Sequence, residues 1–185
     1  MPLRPVTVVV LAALVAYAGA VTVDEPRALT VPTRTPMKPD HVPKTCPITK
    51  PPARPFIPPP PYPPTAGHEC FWFGTEKLWT QLRADGTWKG LPHYTPDDPT
   101  FRQKLFWWRQ RYEVSAEPQP KLRITGKRLD SSGPTLLLAD HGTNGWQQQD
   151  QPFMVVGINL PTLGCWEIKG QYHDAQVTYV VWVAQ

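Results

Sequence analysis

Fifteen of the chain's 25 prolines fall between Pro26 and Pro64, and they end in the run PPARPFIPPPPYPP at residues 51–64. Proline has no N–H and a fixed φ, so this stretch can join neither a helix nor a sheet ladder. Residues 21–66 are therefore expected to be a Pro-rich extended stalk or linker in polyproline II, rising about 3.1 Å per residue. A ligand segment for a proline-binding domain is the alternative use of such a stretch. Any core of the chain's own has to come from the residues that follow.

Residues 1–20 read as a secretory signal peptide, with Arg4, an apolar stretch over 6–18 and the A-x-A site Ala18-Gly19-Ala20. The apolar stretch is short of the ~20 residues of a spanning helix. No cysteine follows Ala20, so the usual lipoprotein signal is absent. No later segment is long and apolar enough to span, which predicts no transmembrane segment after cleavage. The expected location is exported: periplasmic, cell-envelope-associated or secreted.

Charge divides at the same boundary. From Thr65 onward twelve basic residues balance twelve acidic ones, so the net charge of +4 sits in Arg4 and in the linker. No basic patch of the size that nucleic-acid binding needs is left in the folded part. A basic linker can still lie along an anionic envelope surface.

Residues 67–185 are enough for one domain with its own core. They show no sustained helical period; short apolar runs recur between turn signals. Residues 77–82 and 87–89 flank Asp85-Gly86, a hairpin signal. Further strands are expected at 104–114, 121–129, 135–139 and 153–160. Residues 166–172 and 177–183 form a closing hairpin around His173-Asp174-Ala175. The fold class predicted is all-β, an immunoglobulin-like antiparallel β-sandwich of seven to nine strands, with a small barrel as the alternative.

Within 166–172, Trp166, Ile168 and Tyr172 share one face while Glu167, Lys169 and Gln171 share the other. Trp166 should therefore point inward. Cys165, just before it, is either a reactive thiol or a structural staple. The histidines at 68, 93, 141 and 173 lie in Pro-, Gly- or Asp-bearing loops with no recognisable nucleophile context, so a staple is favoured. The three cysteines, Cys46, Cys70 and Cys165, allow three single pairings, and the residues alone do not choose among them.

Adjacent Trp107 and Trp108 must point to opposite faces of a strand, so one of them faces solvent or a covering loop. An exposed Trp108 beside Arg109 and Arg111 would suit a sugar ring or a partner's side chain. Trp146, in the polar loop 138–151, is a second contact candidate. Asp97-Asp98 sits between prolines without the spaced ligand series of a calcium loop and reads as a turn. No metal, cofactor or catalytic constellation is expected: HExxH, GxSxG and Gly-rich phosphate loops are absent, and no acid pair stands out.

The segments TCPITKPP, WFGTEKLW, KLFWWR, ITGKRLD and LPTLGCWEIKGQY…VTYVVWV, spread over residues 45–183, resemble a family of exported bacterial proteins of uncharacterised activity. That family carries a CPxT element near the mature start, a KxxWWR-like strand, a TGRRLD element and a C-terminal GCWEVTG hairpin. Cys46 and Cys165 lie inside these elements and Cys70 does not, so the resemblance implies a Cys46–Cys165 disulfide, with residues 47–64 wrapping the domain. The chain departs from the pattern in its longer proline segment and in Lys169, where threonine is usual.

The function expected is a binding or interaction module at the bacterial cell envelope, with a polysaccharide or protein ligand. Its contact candidates are Trp108, Arg109, Arg111 and Trp146. A small secreted hydrolase of cell-wall or polysaccharide material, or a purely structural envelope component, are the alternatives.

Overall fold

The alternation in the sequence is realised as two packed sheets. The computed structural model describes residues 41–93, 95–131, 138–148 and 150–185. The signal segment 1–20, linker residues 21–40 and residues 135–137 of an expected strand lie outside the described residues. Ten strands run in chain order: β1 (Cys70–Thr75), β2 (Leu78–Arg83), β3 (Thr87–Lys89), β4 (Phe101–Trp108), β5 (Arg123–Arg128), β6 (Leu138–Ala139), β7 (Thr143–Trp146), β8 (Pro152–Leu160), β9 (Gly164–Tyr172) and β10 (Ala175–Ala184). The first sheet has the order β1-β2-β4-β8-β6, with β7 also pairing β8; the second has the order β3-β10-β9-β5. All pairs are antiparallel except β3 with β10. The fold is an all-β sandwich, as the sequence predicts.

The core lies between the sheets. Leu78, Leu105, Trp107, Val156 and Ile158 of the first sheet meet Trp166, Ile168, Tyr179, Val181 and Val183 of the second. Trp107 is fully buried and packs 6.0 Å from the Tyr179 ring. Its indole lies on Gly170, where any Cβ would collide with it. Trp166 is inward and fully buried, and its Nε1–H donates to the Thr162 carbonyl at 3.0 Å.

Three local expectations are corrected. Asp85-Gly86 does not close a hairpin, because β2 and β3 belong to different sheets. The turn is a corner, in which Asp85 accepts from the Thr87 N–H at 3.0 Å and from its hydroxyl at 2.7 Å. The strand expected over 104–114 ends at Trp108. Beyond it the Gln110 N–H bonds the Glu76 carbonyl at 2.9 Å, and Arg111 turns the chain with φ 58°. The polar loop 138–151 contributes β6 and β7 to the first sheet.

The linker residues from 41 onward lie on the sandwich. Cys46 is bonded to Cys165 with a Cα–Cα distance of 5.6 Å, and Trp182, Ile48 and Val42 pack around the bond on the outer face of the second sheet. The Thr49 N–H donates to the Val180 carbonyl at 2.9 Å, and the Val180 N–H donates to the Thr49 hydroxyl at 2.9 Å. The chain then crosses to the outer face of the first sheet. There Phe56 and Tyr62 sit 5.5 and 5.2 Å from the Trp79 ring, beside Trp72 and Trp108. The strap's prolines have no N–H to offer, but their carbonyls still need donors. Gln151 Nε2 donates to the Pro61 carbonyl at 2.8 Å, Trp72 Nε1 to that of Pro63 at 3.1 Å, and the Tyr62 hydroxyl bonds the Pro152 carbonyl at 3.0 Å. Side chains thus replace the ladder that proline forbids. Cys70 carries a free, half-buried thiol.

Two stability predictions follow from the strap. Cys46→Ser or Cys165→Ser should lose about 2–5 kcal/mol, because the bond closes a long loop, whereas Cys70→Ser should stay within about 0.5 kcal/mol. Urea denaturation of the oxidised proteins reads both. By the same assay Tyr62→Ala should cost roughly 3 kcal/mol, through loss of its ring from Trp79. Tyr62→Phe should cost about 1 kcal/mol, the net worth of one hydrogen bond.

Candidate functional site

The segment after β4 and the β9–β10 turn build one cleft at an end of the sandwich. Arg111, left-handed, turns the chain so that Tyr112 packs back into the core, 7% exposed. Its hydroxyl bonds the Asn144 side chain, and Asn144 Nδ2 donates to the Glu117 and Pro118 carbonyls, both at 3.0 Å. Two tight turns, Ala116 N–H to the Glu113 carbonyl and Glu117 N–H to that of Val114, carry the chain round to Glu117. Asn144 of β7 thereby pins the loop's shape to the first sheet.

From the other wall come Tyr172, the last residue of β9, and His173, which takes the hairpin corner with φ 50°. The Tyr172 hydroxyl donates to Glu117 Oε2, the Lys121 N–H donates to Oε1 at 2.7 Å, and His173 Nε2 lies 3.8 Å from Oε2. The Arg109 guanidinium lies over the Tyr172 ring, 5.4 Å from its centroid. The cleft between these walls is about 400 Å³, lined by Arg109, Arg111, Tyr112, Glu113, Glu117, Lys121, Tyr172 and His173.

The electrostatics follow from the contacts. Burial pushes the Glu117 carboxyl up, but the Tyr172 and Lys121 hydrogen bonds and the nearby His173 and Lys121 charges outweigh it and hold the group below its ordinary value. Burial, with the Glu117 charge, raises the Tyr112 hydroxyl to about 12. Burial and its bond to Glu117 raise Tyr172 as well, so both phenols stay protonated donors. Glu117 is therefore ionised and committed to the protein's own donors. The side chains of Arg109, Arg111 and Lys121 make no ion pair among the described residues, and Glu113 is the other acid at the mouth. A cleft of this kind attracts and orients an anion. Its Glu117 carboxylate is committed to internal donors, and Glu113 and His173 also line the cleft.

The sequence-predicted site residues separate in space. Arg109 and Arg111 come together in the cleft. Trp108 lies elsewhere, 4% exposed among Trp72, Phe153 and the strap. An open stacking face on Trp108 is thus corrected: the ring is covered, because the proline segment packs over its side of the sheet. Trp146 is 55% exposed in β7 but does not line the cleft. Asp98, the turn candidate, accepts from the Thr100 N–H at 2.8 Å and from its hydroxyl at 2.7 Å, which is an Asx turn. Glu117, Lys121, Tyr172 and His173 were missed. The one local signal for them was the tight His173-Asp174 turn, which fixes where β9 ends; the Glu117 loop approaches only through tertiary packing. No known family model matches the chain, and no curated protein matches it either.

One prediction concerns the half-buried Glu117 carboxylate. A carboxyl held below its unfolded value stabilises the fold above the ordinary carboxylate range, and that contribution disappears as pH falls through the folded value. Tyr172→Phe removes the donor from Oε2 and lets Glu117 rise. In urea unfolding across pH, the variant should be less stable than wild type at pH 7. The two curves should converge at acid pH, once Glu117 is protonated in both states.

Proposed function

We propose that this protein is an exported binding module that holds an acidic carbohydrate ligand at the bacterial cell envelope. The carrying observation is that Arg109, Arg111 and Lys121 line one cleft without ion-pair partners among the described residues, while Glu117 is taken up internally. Hydrogen bonds to charged groups are worth about 1.5–3 kcal/mol each, so three cations lining one cleft supply useful affinity for an anion. Export accords with the signal-like residues 1–20 and with a disulfide, which persists in oxidising compartments. The resemblance to exported bacterial proteins favours the same address.

The hydrolase alternative requires a second acid facing the first across a scissile bond. Glu117 is half-buried with its two oxygens bonded to Tyr172 and to the Lys121 backbone, while Glu113 is exposed at the mouth. That arrangement favours binding over hydrolysis.

The test is calorimetric titration with carboxylated and neutral polysaccharides. The carboxylated ones should bind, with affinity that falls as salt rises. Lys121→Ala and Arg111→Asn should each weaken binding about tenfold or more at unchanged Tm; asparagine suits the left-handed backbone at 111. Equal affinity for neutral chains, or no effect of either substitution, would count against the reading.

A further inference from the structure

A second groove adjoins the cleft. One wall is formed by residues 119–125, which run into β5, and the other by residues 139–142, which follow β6; the groove is about 560 Å³. It exists because the two sheets part here. Among the described residues, β5 ends its sheet and pairs with β9 alone, and β6 pairs with β8 alone. The facing edges are therefore not zipped together. Pro120 packs on Gly142, where a Cβ would collide with the proline ring, so the groove's width at that end is set by direct contact.

Its charges follow the pattern of the first cleft. Asp140, the acid of this groove, is held by Arg102 at 2.6 Å. Arg123 is exposed and makes no ion pair among the described residues, and His141 faces it from the other wall. Lys121 lines both grooves. On an extended chain Lys121 and Arg123 lie on the same side, about 7 Å apart along the strand, with Leu122 turned into the core between them. Gln119 and Thr125 add neutral hydrogen-bonding groups on either side of the two cations.

We infer that the two grooves form one track, joined at Lys121, that takes an extended carboxylated polysaccharide several sugar units long. The inference rests on the acidic-ligand reading of the first cleft and adds the length and polymeric class of the ligand. Each groove has the volume of a small-ligand site of ~300–1,000 Å³, so one or two rings fill the first. Only a chain brings repeating carboxylates to Arg109 and Arg111 at one end and to Arg123 at the other. The mixture of amide and hydroxyl groups with the cations suits ring hydroxyls better than an acidic peptide.

The test is calorimetry of the oxidised mature chain with oligogalacturonates of increasing length. Affinity should rise on the order of tenfold or more between the dimer and the hexamer, as a second contact becomes intramolecular. Arg123→Ala should erase that rise and leave dimer affinity unchanged, while Lys121→Ala should weaken both. Equal affinity for dimer and hexamer in the wild type, or an Arg123→Ala loss of equal size for both, would overturn the joined track and leave the first cleft standing. No binding at any length would remove both readings. Polyglutamate or polyphosphate binding as tightly as the hexamer would overturn the carbohydrate class.

Discussion

The structure depends on how a segment that cannot hydrogen-bond through its own N–H groups is fastened. The proline strap is fixed at one end by the Cys46–Cys165 bond and at the other by the start of β1. Between them its carbonyls are taken by Trp72 and Gln151, and its two aromatic residues, Phe56 and Tyr62, lie against Trp79. This gives the first sheet apolar contacts on both faces. One face looks into the sandwich and the other lies under the strap. Without the strap, Trp79 and Trp108 would present a large apolar patch to water, which a monomeric protein rarely tolerates.

On the proposed reading, that covering decides where recognition can occur. The tryptophan-rich face, the obvious platform for sugar stacking, is occupied by the protein's own chain. The polar groups of the proposed site lie instead where the sandwich ends and its sheets diverge. The elements that build the cleft are the loop after β4, the β9–β10 corner and the approach to β5. Each is tied to a rigid strand through Asn144, Tyr172 or the Lys121 backbone. The backbone that carries the cations is thus fixed before a ligand arrives, which limits the loop-ordering cost of binding.

Much of the sandwich was legible because the second sheet alternates: Trp166, Ile168 and Tyr172 are inward and Glu167, Lys169 and Gln171 outward. The first sheet hid itself by being dry on both faces. CFWFGT was not read as a strand, yet β1 turns Phe71 and Phe73 to the core and Trp72 to the strap. The same double burial misplaced Trp108, whose cover comes from residues far away in sequence. The role of Cys165 came through family-like motifs rather than from spacing. Arg109 and Arg111 were legible as unmatched cations beside aromatics. Glu117 and His173 were not, since a loop residue and a hairpin corner meet only once the sheets have packed.

The most direct measurement is backbone amide chemical-shift mapping of the isotopically labelled, oxidised protein as a carboxylated oligosaccharide is added. The account predicts saturable shifts confined to the segments around Arg109–Lys121, Arg123, residues 139–142 and Tyr172–His173, with the Trp72, Trp79 and Trp108 amides unmoved. Shifts centred on the strap and those tryptophans, or on Trp146, would place the binding face elsewhere and contradict it.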